Sequence, residues 1–196
     1  GAEGQFLAGA IAAAGLGMVL ANVPPLVAIP VMVLGGFAAG MLWASIPALL
    51  KTRLDIDEVV TTLLMNTIIL FVISFLLNGA WRSPVSGWPQ SPEIAESAMF
   101  PKLIARSRLH LGFLLAWIAT GSIWIVLRRT PLGLRMRAVG QGKEAARFAG
   151  INVPRTMLTA ALVSGGIAGV AGVSEVAGIH YHLIEALGAG AGYTGI

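Results

Sequence analysis

Four long stretches of the chain carry no charged residue. They lie between Glu3 and Lys51, Glu58 and Arg82, Arg108 and Arg128, and Arg155 and Glu175, and they run for 47, 23, 19 and 19 residues. A bilayer core about 30 Å thick is crossed by roughly 20 apolar residues of helix. Each shorter stretch therefore predicts one span. The longest would form a helix of about 70 Å and must turn back, and Asn22-Val23-Pro24-Pro25 is the predicted turn.

This pattern predicts an all-α, polytopic membrane protein with a single transmembrane domain over residues 1–196. The five predicted spans are about 5–22, 26–50, 59–80, 109–127 and 155–176. None of these stretches alternates polar with apolar residues as the strand of a membrane barrel does, so a barrel is not expected.

Composition supports this class. The chain is 56% hydrophobic and 11% charged, with a mean hydropathy of +0.81, whereas soluble domains average about 25% charged residues. It contains no Cys, which excludes disulfides and thiolate metal sites. His180 and His182 do not share one face of a helix, so we expect loop histidines and no metal site.

The basic residues are distributed unevenly between the two sets of loops. Segments 51–58 and 128–155, on one side, hold nine Lys and Arg, and segment 82–108, on the other, holds four. The positive-inside rule therefore predicts that 51–58 and 128–155 are cytoplasmic and 82–108 extracytoplasmic. This distribution also explains the pI near 10.1 without a nucleic-acid partner.

The predicted cytoplasmic segment contains one short amphipathic helix. Its residues are Gly142, Lys143, Glu144, Ala145, Ala146, Arg147, Phe148, Ala149 and Gly150. Ala145, Phe148 and Ala149 share one side, and Gly150 is expected to end the helix. Two turns of helix are unstable alone, so we expect a partner to pack on it. The alternative is a basic membrane anchor without a partner.

Polar residues inside the spans are the candidate solute contacts. Asn66 lies eight residues into its span, where its amide is expected either to contact a solute or to form an interhelical hydrogen bond. For Glu175, near the outer surface, we favour a structural role. Pro30 and Pro47 predict a kinked second span.

The two ends of the sequence share a Gly-x-x-Gly step, Gly1 to Gly4 and Gly192 to Gly195. Paired glycine-interrupted segments mark broken helices at the solute site of some transporters. We therefore predict a substrate pathway that includes Glu3, Gln5, Asn66, Tyr193 and Thr194.

Several enzyme motifs are incomplete, and no catalytic residue is predicted. Gly190-x-Gly192-x-x-Gly195 follows no strand, and Gly140-Gln141-Gly142-Lys143 lacks the first glycine of a phosphate loop. Ser164 with His180 could form an intramembrane protease dyad, but Gly165-x-x-x-Gly169 makes Ser164 a small residue at a helix crossing.

Longer motifs carry a family resemblance. They are Gly1-Ala2-Glu3-Gly4-Gln5, Ile46–Lys51 followed by Asp57–Asn66, Arg137–Gly140 with Glu144–Ile151, Ser174–Gly178, and Gly192–Ile196. The sequence resembles the membrane permeases of bacterial ABC importers for simple sugars and nucleosides, which are related to those for ribose and branched-chain amino acids.

This resemblance implies a fragment, because such permeases have further spans before residue 1 and after residue 196. It implies a multi-pass protein of the bacterial inner membrane that forms the translocation pathway by alternating access, without enzymatic activity or a cofactor of its own. The expected partners are a second permease subunit, identical or paralogous, two cytoplasmic ATPase subunits that bind residues 142–150, and an extracytoplasmic solute-binding protein. Alternatives are an ion-coupled secondary transporter and, more remotely, an intramembrane serine protease.

Overall fold

Seven α-helices form the described part of the protein. The computed structural model describes residues 2–84, 87–104, 107–185 and 187. The helices are α1 (Glu3–Val19), α2 (Pro25–Leu54), α3 (Glu58–Asn78), α4 (Leu111–Arg129), α5 (Pro131–Gln141), α6 (Lys143–Phe148) and α7 (Val153–Glu175). Within these residues β-structure is limited to two isolated bridges. The prediction of an all-α fold is confirmed.

Five of the helices are long and apolar enough to cross a membrane. They are α1, α2, α3, α4 and α7, which are the five spans that the charge-free stretches predict. The turn after α1 is a 3₁₀ turn at Leu20–Asn22, and Pro25 begins α2 at the first helical position, where its missing N–H costs nothing. Helix α2 continues through Pro30 and Pro47 for 30 residues.

Side-chain caps fix where α3, α5 and α7 begin. Asp57 accepts a hydrogen bond from the N–H of Val59 at 2.7 Å, and Asn152 accepts one from the N–H of Arg155 at 3.1 Å. Thr130 caps α5 in the same way, through the N–H of Gly133. These caps satisfy N–H groups that have no partner inside the helix.

The core is the crossing of α1, α2 and α7, where glycines allow backbones to touch. A side chain on Gly9 or Gly40 would collide with the backbone of α7, and one on Gly169 would collide with the backbone of α2. Helix α3 packs beside this crossing through the buried residues Ile69, Ile73 and Leu77. Small residues at such contacts replace the hydrophobic driving force that lipid does not supply.

The two ends of the bundle differ in structure. The end formed by residues 51–57 and 130–152 is called the basic end below. The end formed by residues 20–24, 79–84, 87–104, 107–110 and 176–185 is called the loop end. At the loop end Ile94 and Phe100 are buried, and backbone hydrogen bonds join Ala95 to Gly17 at 3.0 Å and Phe100 to Ala177 at 2.8 Å. The long loop therefore packs on the bundle as part of its core.

Candidate functional site

A cavity of about 220 Å³ lies between α1, α2, α3 and α7, toward the basic end. The cavity forms because α2 extends farther toward the basic end than α1 does. Helix α1 begins at Glu3, close to Ala44 and Gly165, whereas α2 continues from Ala44 to Leu54. Ten residues of helix correspond to about 15 Å. The polar residues of its lining are Gln5, Lys51, Thr52, Glu58, Thr62 and Ser164.

Gln5 joins this cavity to the core. Its side chain lies against Gly165 of α7, and the residue is only 9% exposed. Its Oε1 atom is buried and has no hydrogen-bond partner in the described part of the chain, and the same holds for Nε1 of Trp43, which lies against Gly4. Buried polar atoms are almost always paired, so these two atoms mark a site with an unmet hydrogen-bonding capacity.

Asn66 lies on the other side of the first turn of α1. Its Oδ1 accepts a hydrogen bond from the backbone N–H of Gly4 at 2.8 Å, and the residue is 7% exposed. This N–H belongs to the first turn and has no acceptor within its own helix. Asn66 therefore forms an interhelical hydrogen bond, one of the two roles expected for it, and its contact with a solute stays a prediction.

The other predicted pathway residues divide into two groups. Glu3 is the first residue of α1 and is half-buried, at the same helix end as Gln5 and Gly4. Tyr193 and Thr194 lie outside the described residues. Glu3 and Gln5 thus lie in the first turn of α1 and Asn66 contacts that turn, but of these three only Gln5 lines the cavity.

A charged pair lies where the cavity reaches the basic end. Nζ of Lys51 donates to Oδ1 of Asp55 at 2.8 Å. This hydrogen bond, with the positive charge of Lys51, lowers the pKa of the Asp55 carboxyl below its usual range. The charge of Lys51 is therefore already compensated within the structure.

Helix α6 extends from the basic end with an unusual exposure pattern. Ala146 is 3% exposed and packs with Val139 of α5 and Val153 of α7, whereas Phe148 is 92% exposed. Ala145 and Ala149 are exposed beside Phe148. Gly150 ends the segment with a φ of 77°, a conformation that glycine adopts without strain. The predicted short helix is present, and its apolar face is directed away from the bundle.

The sequence analysis does not predict helix α5, because residues 131–141, which include Arg135, Arg137 and two glycines, fall in a segment that it treats as a loop. Thr130 followed by Pro131 could have identified it, since a threonine cap and a proline at the first helical position are start signals. Gly133 lies directly against the backbone of Val126 and Leu127 at the end of α4. Helix α5 therefore leaves the bundle by a tight corner and places α6 beside α7.

The histidines lie at the loop end, far from the cavity. Nε2 of His180 lies 3.3 Å from a carboxylate oxygen of Glu175, which gives Glu175 a structural contact. Burial lowers the pKa of His182. Among the described residues no cluster of three or more His, Asp or Glu could hold a metal ion.

Comparison with known families decides what kind of protein contains this cavity and helix. The family of permease components of branched-chain amino acid transport systems matches residues 1–196. The chain belongs to this family. No solved structure gives a significant match.

Curated relatives of this permease fall into two solute classes. It is 32% identical to the glucose ABC transporter permease protein TsgB13 of Haloferax volcanii, over its whole length and 54% of that protein. It is also 32% identical to the guanosine ABC transporter permease protein NupP of Bacillus subtilis, over its whole length and 57% of that protein. The nucleoside ABC transporter permease protein NupB of Lactococcus lactis matches 88% of the chain. The chain spans about half the length of these relatives.

Proposed function

We propose that this permease chain forms part of the translocation pathway of an ATP-driven importer for a nucleoside or simple sugar. The observation that carries the proposal is the exposed face of Ala145, Phe148 and Ala149 on α6. A two-turn helix is unstable alone, and Ala146 is the one buried residue of α6. A groove on an ATPase subunit would cover the remaining apolar face.

The packing around α6 supplies a route for movement to reach the cavity. Ala146 contacts Val139 and Val153, so a displacement of α6 acts on α5 and on the first turn of α7. Helix α7 also carries Ser164 and Gly165, which line the cavity. We infer that closure of the ATPase pair displaces α6, tilts α7 and exposes the cavity alternately to the two sides of the membrane.

The proposed assembly is that of an ABC importer. It contains a second permease subunit, two cytoplasmic ATPase subunits and an extracytoplasmic solute-binding protein. The basic end, which together with Arg128, Arg129 and Arg155 in the adjoining helix ends holds nine of the 13 Lys and Arg residues, is cytoplasmic in this proposal. The loop end receives the solute-binding protein. The chain itself needs no covalent chemistry.

Two alternative functions lose support. An ion-coupled transporter needs an ionisable residue deep in a span, but within the described residues no Asp, Glu, Lys or Arg side chain is in the buried core.

A serine protease dyad needs direct contact between its two side chains, whereas Ser164 and His180 are 16 residues apart along one helical segment. That separation is roughly 24 Å at 1.5 Å per residue.

Co-purification of the full-length permease with its ATPase subunit tests the proposal. We expect Phe148→Asp to abolish the complex, because a charge replaces the most exposed apolar side chain of α6. Leu103→Asp makes the same kind of change at the loop end, where Leu103 is 44% exposed, and should leave the complex intact. Retention of the ATPase by Phe148→Asp, with unchanged ATP-driven uptake, would contradict the proposal.

A further inference from the structure

Helices α4 and α7 approach each other at the loop end and separate deeper in the membrane. A β-carbon on Gly112 of α4 would lie 2.7 Å from Oγ of Ser174 in α7, and the ring of His110 lies against Gly178. Beyond this contact a gap of about 920 Å³ lies between the two helices, with Phe6 of α1 also in its lining. Three spans therefore form the walls of the gap, and the contact at the loop end lies at its rim.

The depth of the gap matches one leaflet of the membrane. Its lining residues on α4 extend from Gly112 to Ile123, and those on α7 extend from Glu175 back to Ile167. At 1.5 Å per residue these lengths are roughly 16 Å and 12 Å, whereas half of a bilayer core is about 15 Å thick. A transmembrane helix crosses both leaflets. An acyl chain of the leaflet at the loop end has the matching length.

The polarity of the lining changes along this depth as the polarity of a phospholipid does. Its ionisable side chains, Arg108, His110 and Glu175, all lie at or next to the loop end. Deeper in the gap, Thr120 is the one polar residue among the described lining residues, and its hydroxyl donates to the carbonyl of Ala116 at 2.8 Å. A chain of methylene groups therefore covers no unpaired polar group there.

Two hydrogen-bond donors are free at the rim of the gap. Arg108 is exposed and forms no ion pair with another described residue. His110 is only 9% exposed, and its Nδ1 accepts from the N–H of Gly112, so the proton of the neutral ring is on Nε2. This N–H has no acceptor within the described part of the chain. Phosphate and ester oxygens accept hydrogen bonds from such groups.

Glu175 adds a negative charge to the same rim. One of its carboxylate oxygens lies 3.3 Å from Nε2 of His180, and the carboxylate has further lone pairs that can accept hydrogen bonds. A guanidinium and a carboxylate together complement a headgroup that carries both a phosphate and an ammonium. A headgroup whose only charge is a phosphate is attracted by Arg108 but repelled by Glu175.

We infer that the gap between α4 and α7 binds a phosphatidylethanolamine molecule of the leaflet at the loop end. One acyl chain lies in the gap, the phosphate binds Arg108, the ammonium binds Glu175, and an ester oxygen accepts from Nε2 of His110. The lipid connects α4, which is only 6% buried in its most apolar window, to α7. This inference is independent of the solute and of the ATPase.

Lipid titration of the full-length permease tests the site. The protein is delipidated in mild detergent and titrated with phosphatidylethanolamine, phosphatidylglycerol or diacylglycerol with the same acyl chains, and native mass spectrometry counts the bound molecules. We expect affinity to fall in that order, with at least about a tenfold difference between phosphatidylethanolamine and diacylglycerol. Binding of diacylglycerol or phosphatidylglycerol as tight as that of phosphatidylethanolamine would overturn the inference, as would the absence of any bound lipid.

Two pairs of variants locate the bound lipid. Arg108→Gln should weaken phosphatidylethanolamine binding about five- to tenfold, whereas Arg82→Gln makes the same charge change at the loop end outside this lining and should not. Ala119→Phe places a large side chain in the gap and should remove the site, whereas Ile118→Phe lies outside the lining and should retain it. The thermal midpoint without lipid shows that each variant is folded. Equal binding within both pairs would contradict the assignment.

Photo-crosslinking identifies the occupant directly. The photoreactive residue p-benzoylphenylalanine replaces Ile123, at the deep end of the lining, in the full-length permease, which is then irradiated in native membranes. We expect the crosslinked product to contain phospholipid. A crosslink to another segment of the same chain, or to a second copy, would show that a helix lies in the gap and would overturn the inference.

Discussion

Helices α1 and α4 are both single spans, yet they are packed very differently. In their most apolar windows 44% of α1 is buried inside the protein and only 6% of α4. Helix α1 is rich in alanine and glycine, whereas α4 carries Phe113, Trp117 and Trp124, all at least half exposed. A gap of about 920 Å³ lies between α4, α7 and Phe6 of α1.

This difference indicates that hydropathy identifies a membrane span, whereas the size of its side chains determines how closely it packs against other helices. Lipid tails are as apolar as leucine, so a large apolar side chain gains little by leaving lipid for protein. Small residues gain backbone contacts that lipid cannot offer. The glycine positions of α1 and α7 therefore fix the core, whereas the large residues of α4 contribute little to it within the described residues.

The largest expected effect is at the crossing of the core helices. A β-carbon on Gly169 would collide with the carbonyl of Gly36, whereas one on Gly121 of α4 would have nothing within 4 Å. We expect Gly169→Ala to destabilise the protein by at least about 3 kcal/mol, because two backbones must separate. Gly121→Ala should be neutral or stabilising by up to about 1 kcal/mol.

The measurement is unfolding of the full-length permease in lipid nanodiscs. If Gly169→Ala and Gly121→Ala have equal stability, then close backbone contact is not what distinguishes α1 and α7 from α4.

The next effect concerns large residues that are buried. Ile73 of α3 is 0% exposed and Ile118 of α4 is 63% exposed. Ile73→Ala should cost about 1–3 kcal/mol, because a cavity is left even though transfer from lipid contributes little. Ile118→Ala should stay within about 0.5 kcal/mol. The same unfolding assay measures both, and a larger loss at Ile118 would show that α4 is packed in the folded state.

The sequence predicted the spans but not all of what lies between them. Charge-free stretches define the five helices because burying a charge in lipid is costly. The predicted second span ends at 50, four residues before α2 ends at Leu54, because the uncharged stretch ends at Lys51 and Arg53 follows it. Basic side chains at a helix C-terminus are favourable, so they continue the helix.

The sequence marks site residues only by local signals. The Gly-x-x-Gly step points to Gln5, and Asn66 stands out as an amide in an apolar span. In the structure Gln5 lies in the first turn of α1, and Asn66 of α3 contacts that turn. Trp43 was missed because a tryptophan in a span looks like any other apolar residue, and only the structure shows its N–H buried without a partner in the described chain. Ser164 was interpreted as a packing residue, since its distance from Gln5 along the chain hides their shared cavity.

A smaller effect separates two asparagines of α3. Asn66 accepts from the N–H of Gly4 in α1, whereas Nδ2 of exposed Asn78 donates to Ser74 within its own helix. Asn66→Ala should cost about 1–2 kcal/mol, because the Gly4 N–H is left buried without this acceptor. Asn78→Ala should be within about 0.5 kcal/mol of wild type. Equal effects in the unfolding assay would show that the link between α3 and α1 is not energetically important.

The smallest effect is a pH dependence at the point where α4 does touch α7. His110 caps α4 by accepting from the N–H of Gly112 at 3.1 Å, and its ring lies against Gly178 just after α7. Burial lowers the pKa of His110 below the ordinary value of 6.5, against a smaller opposing effect of Glu175. When the His110 ring leaves its contact with Gly178, it binds a proton more readily than in the packed state. The contact is therefore fully stable above pH 6.5 and weakens as the pH falls through the lowered pKa.

A spin label at Ala119, which faces the gap, reports this contact, and the absence of Cys from these 196 residues makes the labelling site unique within them. We expect label mobility to rise between pH 7.5 and pH 5.5, while a label in the α1–α2–α7 crossing stays immobile. His110→Asn retains an acceptor for the cap but does not titrate, so it should remove the pH dependence. Mobility that rises equally in both proteins would assign the change to another group, and α4 would then be held at a contact other than His110.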